Sequence, residues 1–162
     1  MCASLLGANL TEAHAQSSAS HGCVRAPTSS LTLNIKDKGA KGDGREDDAA
    51  AIQAAIDEIA GTGGTVLVPK GTYMVDAVGK GRLTLKSNMT LKLSKGATLK
   101  AIPNSSRHYS ILTIAGASNT TVVGGTLVGD RHEHAGQTGE WGMGIRIDRG
   151  ASHVTISGVV SK

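Results

Sequence analysis

The sequence predicts an all-β fold, a single-stranded parallel β-helix (a solenoid) with an N-terminal capping α-helix. Three observations predict it. A Ser-Asn, Ser-Asn or Ser-His pair at residues 87, 118 and 152 stands between short alternating segments, so that one unit recurs after 31 and then 34 residues. Aromatic residues make up only 2% of the chain and Phe is absent, so the core must consist of Val, Ile, Leu and Ala, which suit narrow stacked layers. One amphipathic segment precedes the repeats.

The first element is a short strand over 31–35, where apolar and polar residues alternate. Residues 37–46 follow as a Gly-rich turn region. A Val-rich strand comes after the helical segment and ends in Pro-Lys-Gly-Thr-Tyr, residues 69–73. These elements form the beginning of the predicted stack.

The helix is predicted over 48–60, because three isoleucines recur there at i, i+4 and i+7 with an alanine on the same stripe. Asp47 or Asp48 can cap its N-terminus, and Gly61 can end it in a left-handed conformation. The first rung of a solenoid exposes a strand edge and a cross-section of core, so it needs a cover. We expect the apolar face of this helix to supply it.

Each repeat places a pair of apolar residues before the polar turn. A left-handed backbone at the second turn residue would redirect the chain at the same point of every rung, and Asn tolerates that conformation well. His153 occupies the position of Asn88 and Asn119, so it is interpreted as a turn residue. The apolar pairs are Leu83/Leu85, Leu112/Ile114 and Ile145/Ile147.

The stretch from Gly39 to Tyr73, GAKGDGREDDAAAIQAAIDEIAGTGGTVLVPKGTY, resembles the N-terminal region of the pectate-lyase-like superfamily of right-handed parallel β-helices. The superfamily includes polygalacturonases, rhamnogalacturonases and uronan epimerases. The resemblance extends from about Ile35 to Lys162. It implies the N-terminal part of a secreted enzyme that cleaves pectin-like or other acidic polysaccharides, with glycoside hydrolysis favoured over lyase chemistry. The alternative is a non-catalytic glycan-binding or structural β-helix of the tailspike or surface-protein type.

Three segments are expected along the chain. Residues 1–15 resemble a truncated signal peptide, since Ala13-His14-Ala15 fits a small-x-small cleavage pattern although no Lys or Arg precedes it. Residues 16–30 are rich in Ser, Ala and His and are interpreted as a flexible lead-in. Residues 31–162 form the β-helix part, and a secreted or periplasmic location follows. Catalytic residues are unknown and are expected beyond Lys162, since none of the family's catalytic motifs is matched before it.

The densest cluster of titratable residues, Asp130-Arg131-His132-Glu133-His134, begins the longest polar loop of the chain. Long loops on a solenoid build binding surfaces, and Glu140 and Trp141 end this one. Asp130, Arg131, His132, Glu140 and Trp141 are therefore the candidate substrate-binding residues. Two interpretations stay open: these side chains contact a uronan, or Trp141 packs the loop against the stack and the charges are solvated.

No metal site or cofactor is predicted, with Ca²⁺ possible if the whole protein is a lyase. Asp43, Asp47 and Asp48 lack the EF-hand spacing, and His132 with His134 supplies only two zinc ligands. The net charge of +4 can attract an acidic polysaccharide or can reflect solvated lysines and arginines. No basic tract indicates nucleic acid, no segment is long and apolar enough to span a membrane, and the oligomeric state stays open.

Overall fold

A computed structural model describes residues 31–79, 82–137 and 141–162. The predictions for the segments 1–15 and 16–30 concern residues outside this part. The structure contains one α-helix, α1 (Ala49–Ile59), and a 3-10 helix over Ile35–Lys38. The strands are β1 (Thr32–Asn34), β2 (Asp43–Asp47), β3 (Thr65–Val68), β4 (Gly71–Val75), β5 (Leu83–Leu85), β6 (Met89–Leu93), β7 (Ala97–Ala101), β8 (His108–Ala115), β9 (Ser118–Val123), β10 (Thr126–Val128), β11 (Trp141–Asp148), β12 (Ser152–Ser157) and β13 (Val160–Ser161).

These strands form three sheets in which every pairing is parallel. The first sheet has the order β1-β3-β6-β9-β12, the second β13-β10-β7-β4-β2 and the third β11-β8-β5. From β5 onward the chain visits the third, the first and the second sheet in turn, one strand each. Every circuit therefore adds one rung, and the predicted parallel β-helix is confirmed.

The core consists of aliphatic columns that run along the stack. Leu83 of β5 pairs with Leu112 of β8, which pairs with Ile145 of β11. Leu83 and Leu112 are fully buried. Because side chains alternate across a strand, the residues between these inward positions lie on the outer side of the sheet, where Thr84 is partly exposed and Thr113 is covered. This alternation defines the outer surface on which ligands can bind.

The predicted turn residues form a ladder. Asn88, Asn119 and His153 have φ angles of 55°, 55° and 52°, so all three occupy the left-handed region. The Asn119 side-chain nitrogen donates to Asn88 Oδ1 at 3.0 Å. The same turn therefore recurs in register in three rungs, and the interpretation of His153 as a turn residue is confirmed.

Helix α1 packs on the 3-10 helix and on β5 and β3 with its buried stripe, which consists of Ala49, Ile52, Ala55, Ile56 and Ile59. At its N-terminus Asp47 Oδ1 accepts a hydrogen bond from Ala49 N at 3.0 Å. Asp48 occupies the cap position, but its carboxylate instead accepts from the backbone amides of Lys41 and Gly42. Of the two predicted caps, Asp47 therefore performs the capping and Asp48 holds the Gly-rich turn. Gly61 has a φ of 76°, as predicted.

The last rung differs from the others in its exposure. Ile147, Ile156 and Val160 are each 43–48% exposed, although the residues at the same positions of earlier rungs are buried or partly buried. Within residues 31–79, 82–137 and 141–162, no helix has the length and apolar character needed to cross a membrane.

Candidate functional site

The loop that follows β10 begins at Gly129 and is anchored by Asp130. The Asp130 side chain is only 1% exposed. Its Oδ1 accepts a hydrogen bond of 2.6 Å from the Tyr109 hydroxyl, which in turn accepts one of 2.9 Å from Asp130 N. Its Oδ2 accepts from Asn104 N at 3.0 Å and contacts His134 Nδ1 at 2.9 Å. The Asp130 carboxylate therefore ties the loop to strand β8 and to the preceding turn.

Burial and hydrogen bonding in this anchor determine the protonation of Asp130 and Tyr109. Burial alone would raise the pKa of Asp130, but hydrogen bonds from Tyr109, His134 and the Asn104 amide together lower that pKa below its ordinary value. Burial, with the hydrogen bond to Asp130, raises the pKa of Tyr109. At neutral pH Asp130 is thus a carboxylate and Tyr109 a neutral phenol that donates to it.

His134 completes the anchor. Its side chain is 7% exposed, and its Nε2 atom is buried with no hydrogen-bond partner in the part of the chain that the structure describes. A side chain at Gly136 would approach that atom to 3.1 Å, so the loop closes tightly over the imidazole. His132 by contrast is exposed. His134 is therefore buried in the anchor, whereas His132 faces solvent. No group of three potential metal ligands occurs among the residues described.

A second connection joins the loop to the second sheet. Lys100 of β7 faces outward between the buried Leu99 and Ala101, and its Nζ contacts both oxygens of Glu133 at 2.9 and 3.0 Å. Half-exposed ion pairs of this kind contribute about 0–1 kcal/mol. The main stabilisation therefore comes from the buried Asp130 cluster, and the ion pair orients the outer part of the loop.

The remaining candidate residues lie on the surface. Arg131 is exposed directly after the anchoring Asp130. Trp141 is 55% exposed, pairs in register with His108 and contacts its ring at a centroid distance of 6.0 Å. Glu140 lies outside the residues that the structure describes.

The anchor also couples Arg131 to Trp141. Tyr109 lies beside His108 on β8, and a side chain at Gly142 would approach the Tyr109 ring to 2.6 Å, so β11 lies directly on this ring. The same ring donates its hydroxyl proton to Asp130. One buried contact thus fixes both the strand that begins at Trp141 and the loop that carries Arg131.

A cavity of about 560 Å³ opens next to the anchor. Its lining includes Tyr109, Asp130, Arg131, Met143 and Lys162. Asp130 keeps its negative charge inside the internal hydrogen bonds, and Arg131 and Lys162 bring two positive charges to the lining.

Sequence reasoning identified this loop but not its anchor. Tyr109 and Asn104 are far from Asp130 in sequence, and only the stacking of rungs brings them together. The sequence indicates His134 as a member of the titratable cluster and as one of only two histidines available for a zinc site. The i, i+4 spacing of Asp130 and His134 in a turn was a signal for local pairing, but it does not indicate burial.

Stacked parallel sheets and a capping helix define a right-handed parallel β-helix protein. The chain belongs to the family described as rhamnogalacturonase A/epimerase, pectate lyase-like, whose model matches residues 32–126. The resemblance noted in the sequence is thereby confirmed.

Two curated relatives illustrate the similarity. The uncharacterized protein YclG of Bacillus subtilis (strain 168) is 36% identical over 143 residues, which cover 78% of this chain and 24% of YclG. Mannuronan C5-epimerase AlgE6 of Azotobacter vinelandii is 55% identical over 65 residues, which cover 38% of this chain and 7% of the epimerase. The chain thus spans a quarter or less of the length of either relative.

Two solved structures share the fold. The A-module of the Azotobacter vinelandii mannuronan C-5 epimerase AlgE4 superimposes with a TM-score of 0.65 at 36% identity and covers 78% of this chain and 37% of the module. PfbA, a surface adhesin of Streptococcus pneumoniae, superimposes with a TM-score of 0.61 at 28% identity, covering 82% of this chain and 33% of PfbA.

Proposed function

We propose that this chain is the N-terminal part of a secreted or periplasmic protein that binds and modifies an acidic polysaccharide, with a uronan as the substrate class. The observation that carries the proposal is the buried Tyr109–Asp130 contact, which holds the loop that bears the exposed Arg131 against the ring that supports the strand beginning at the exposed Trp141. A rigid pair of this kind loses little conformational entropy on binding.

The chemistry of the two exposed residues matches a uronate. A guanidinium group binds a carboxylate with two parallel hydrogen bonds, and Arg131 has no ion-pair partner among the residues described. An indole ring supplies a large apolar surface at low entropic cost, which suits the C–H face of a sugar ring. Both requirements are met by a polymer of uronic acids.

The proposal also names the reaction that the whole protein catalyses. The sequence favoured hydrolysis, which needs two carboxyl groups placed on either side of one glycosidic bond. In the described part of the chain Asp130 is committed to internal hydrogen bonds and Glu133 to Lys100, so neither supports such a pair. The similarity to mannuronan C5-epimerases supports proton transfer at C5 instead, and we place that chemistry ahead of hydrolysis.

A second candidate function is binding without catalysis. The similarity to the surface adhesin PfbA supports it, because that protein shares the fold over most of this chain. The two functions differ in what the protein does to a bound polymer and agree in the surface that binds it.

The test uses the fluorescence of Trp141, the single tryptophan of the chain. Hexamers of mannuronate and of galacturonate are titrated into the protein, with cellohexaose as the uncharged control. We expect saturable quenching by a uronate hexamer and about fivefold to tenfold weaker binding by Arg131→Gln. The matched control Arg45→Gln removes one exposed charge on β2 and should leave the affinity unchanged. Equal binding of cellohexaose, or equal effects of the two variants, would refute the proposal.

A separate assay addresses the reaction. Polymannuronate and polygalacturonate are incubated with the protein and followed by proton NMR for inverted C5 centres, unsaturated ends and new reducing ends. We expect residues 1–162 alone to produce none of these products, while binding persists. New reducing ends without unsaturation would restore hydrolysis as the favoured reaction.

A further inference from the structure

We infer that the outer face of the β5-β8-β11 sheet carries a second binding site for an acidic polysaccharide, separate from the surface around Trp141. A groove of about 190 Å³ lies on this face. Its lining includes three arginines, Arg82, Arg146 and Arg149, together with Thr84, Thr113 and Asp148.

The register of the sheet places these residues in a row. Thr84 of β5 pairs with Thr113 of β8, and Thr113 pairs with Arg146 of β11. The neighbouring positions Leu85 and Ile114 lie in the core, so this row belongs to the outer side of the sheet, where Thr113 is 8% exposed and shares a hydrogen bond with Ser110. Arg82 stands just before β5 and Arg149 just after β11. The groove therefore crosses three successive rungs with arginines at both ends.

The charges of the groove do not balance internally. Three guanidinium groups face one carboxylate, that of Asp148, whose Oδ2 accepts from Arg146 Nε at 2.8 Å. Arg149 has no ion-pair partner in the described part of the chain. Arg82 Nη2 donates to the backbone oxygen of Val78 at 3.5 Å. Two positive charges therefore remain for a ligand, and the ion pair holds Arg146 in a fixed orientation.

The spacing of the charges selects the form of the ligand. Strands of a sheet lie about 4.8 Å apart and residues along a strand about 3.3 Å apart, so the backbones of Arg82 and Arg149, at opposite corners of the sheet, are about 19 Å apart. A single small anion can satisfy one end only. A linear polyanion that crosses the sheet diagonally can reach both, and the Thr84 hydroxyl between them can bond to sugar hydroxyls.

The lining of the groove favours a sugar polymer over a nucleic acid. No aromatic side chain lines it, and single-stranded nucleic acids depend on aromatic stacking for much of their affinity. The ligand class is thus an oligosaccharide that bears carboxylate or sulfate groups. Binding here would keep a long substrate chain on the protein while another segment of it occupies the surface at Trp141.

The experiment monitors backbone amides of the whole chain by ¹⁵N NMR during titration with hexagalacturonate. We expect shifts at Thr84, Thr113 and Arg146, and we expect the same shifts in Trp141→Ala, so that failure of the proposed function leaves this result readable. Sulfated carrageenan hexamers distinguish sulfate from carboxylate as the preferred group.

The variant Arg82→Gln/Arg149→Asn removes two charges, and Asn is chosen because Arg149 has a φ of 53°. We expect the groove shifts to require about fivefold to tenfold more hexamer. The control Lys92→Gln/Lys95→Gln removes two exposed charges elsewhere and should change nothing. The inference is overturned if both double variants weaken binding equally, if monomeric galacturonate or inorganic sulfate shifts the groove as effectively as the hexamer, or if a single-stranded oligonucleotide binds there more tightly.

Discussion

The side chain of Gln53 binds both backbone groups of Thr84. Thr84 N donates to Gln53 Oε1 at 2.8 Å, and Gln53 Nε2 donates to Thr84 O at 3.2 Å. In the later rungs of this sheet, backbone N–H and C=O groups bond to the neighbouring strand, β8 to β5 and β11 to β8. Gln53 thus provides, from the capping helix, the two hydrogen bonds that a preceding strand would give to β5. A helix can therefore satisfy a sheet edge as well as cover the core.

We expect Gln53→Ala to lower the free energy of unfolding by about 1–3 kcal/mol, because it leaves a partly buried donor and acceptor without partners. Gln53→Glu keeps an acceptor for Thr84 N but places a carboxylate against Thr84 O and Asp57 Oδ1, so its effect should be at least as large. Chemical denaturation with urea measures both. Ala54→Gln, at an exposed position on the same helix, is the control and should leave stability within about 0.5 kcal/mol. A loss for Gln53→Ala no larger than that of the control would show that the edge is satisfied by water.

The asparagine ladder gives a second prediction. Asn119 has a φ of 55° and donates its side-chain amide to Asn88 Oδ1. Asn119→Ala should cost about 1–2 kcal/mol, since Ala pays the left-handed penalty and loses the bond. Asn119→Gly removes the penalty and should recover part of the stability. Thermal unfolding of the two variants separates backbone strain from hydrogen bonding, and identical melting temperatures would contradict this division.

The elements that the sequence predicted are those fixed by short-range physics. The turn positions at Asn88 and Asn119 follow from local backbone preferences, and the buried stripe of α1 follows from helical periodicity. Each can be inferred without knowing which rung lies next to which. The same holds for Gly61, whose positive φ ends the helical segment.

The site depended on rung-to-rung register, which the sequence does not reveal. Asp130 is a charged residue in a polar loop, so the pattern predicted exposure, yet its carboxylate is buried against the Tyr109 hydroxyl one rung away. Gln53 similarly resembled a surface residue of an amphipathic helix. Trp141 is 55% exposed, and its contact with a substrate stays a prediction.

Substitution of Tyr73, unlike the two substitutions above, is expected not to lower the stability of the fold. It is fully buried, and its hydroxyl has no hydrogen-bond partner among the residues described. A buried hydroxyl without a partner is destabilising, so Tyr73→Phe should leave the free energy of unfolding unchanged or raise it by up to about 1 kcal/mol.

Burial also raises the pKa of Tyr73, so the unfolded chain ionises first and stability falls as pH rises above about 10. Tyr73→Phe should reduce this alkaline loss in urea titrations, and a clear destabilisation at neutral pH would indicate a missed partner for the hydroxyl.

The Asp130 anchor predicts an acid dependence. Its folded-state pKa is lowered, so its contribution to stability is fully present well above the ordinary aspartate pKa of about 3.9 and disappears as pH falls through the lower, folded-state value. Asp130→Asn removes this contribution at all pH values and should cost about 2–3 kcal/mol at pH 7. The difference between wild type and Asp130→Asn in urea unfolding should therefore shrink as the pH is lowered through this range. A difference that stays constant down to the lowest pH at which the protein folds would mean that the charge of Asp130 is irrelevant.

Tyr109→Phe tests whether this anchor serves the binding surface. The variant removes the hydroxyl that donates to Asp130 Oδ1 and accepts from Asp130 N, while the ring that supports β11 remains. Because Arg131 then loses its fixed position relative to Trp141, uronate hexamers should bind several-fold more weakly although neither exposed residue has changed. Trp141 fluorescence measures the affinity, and Tyr73→Phe serves as the matched control, since it removes a buried hydroxyl of β4 that is not part of the Asp130 anchor. If both variants bind hexamers as well as the wild type, the surface does not depend on the anchor, and Arg131 and Trp141 act independently.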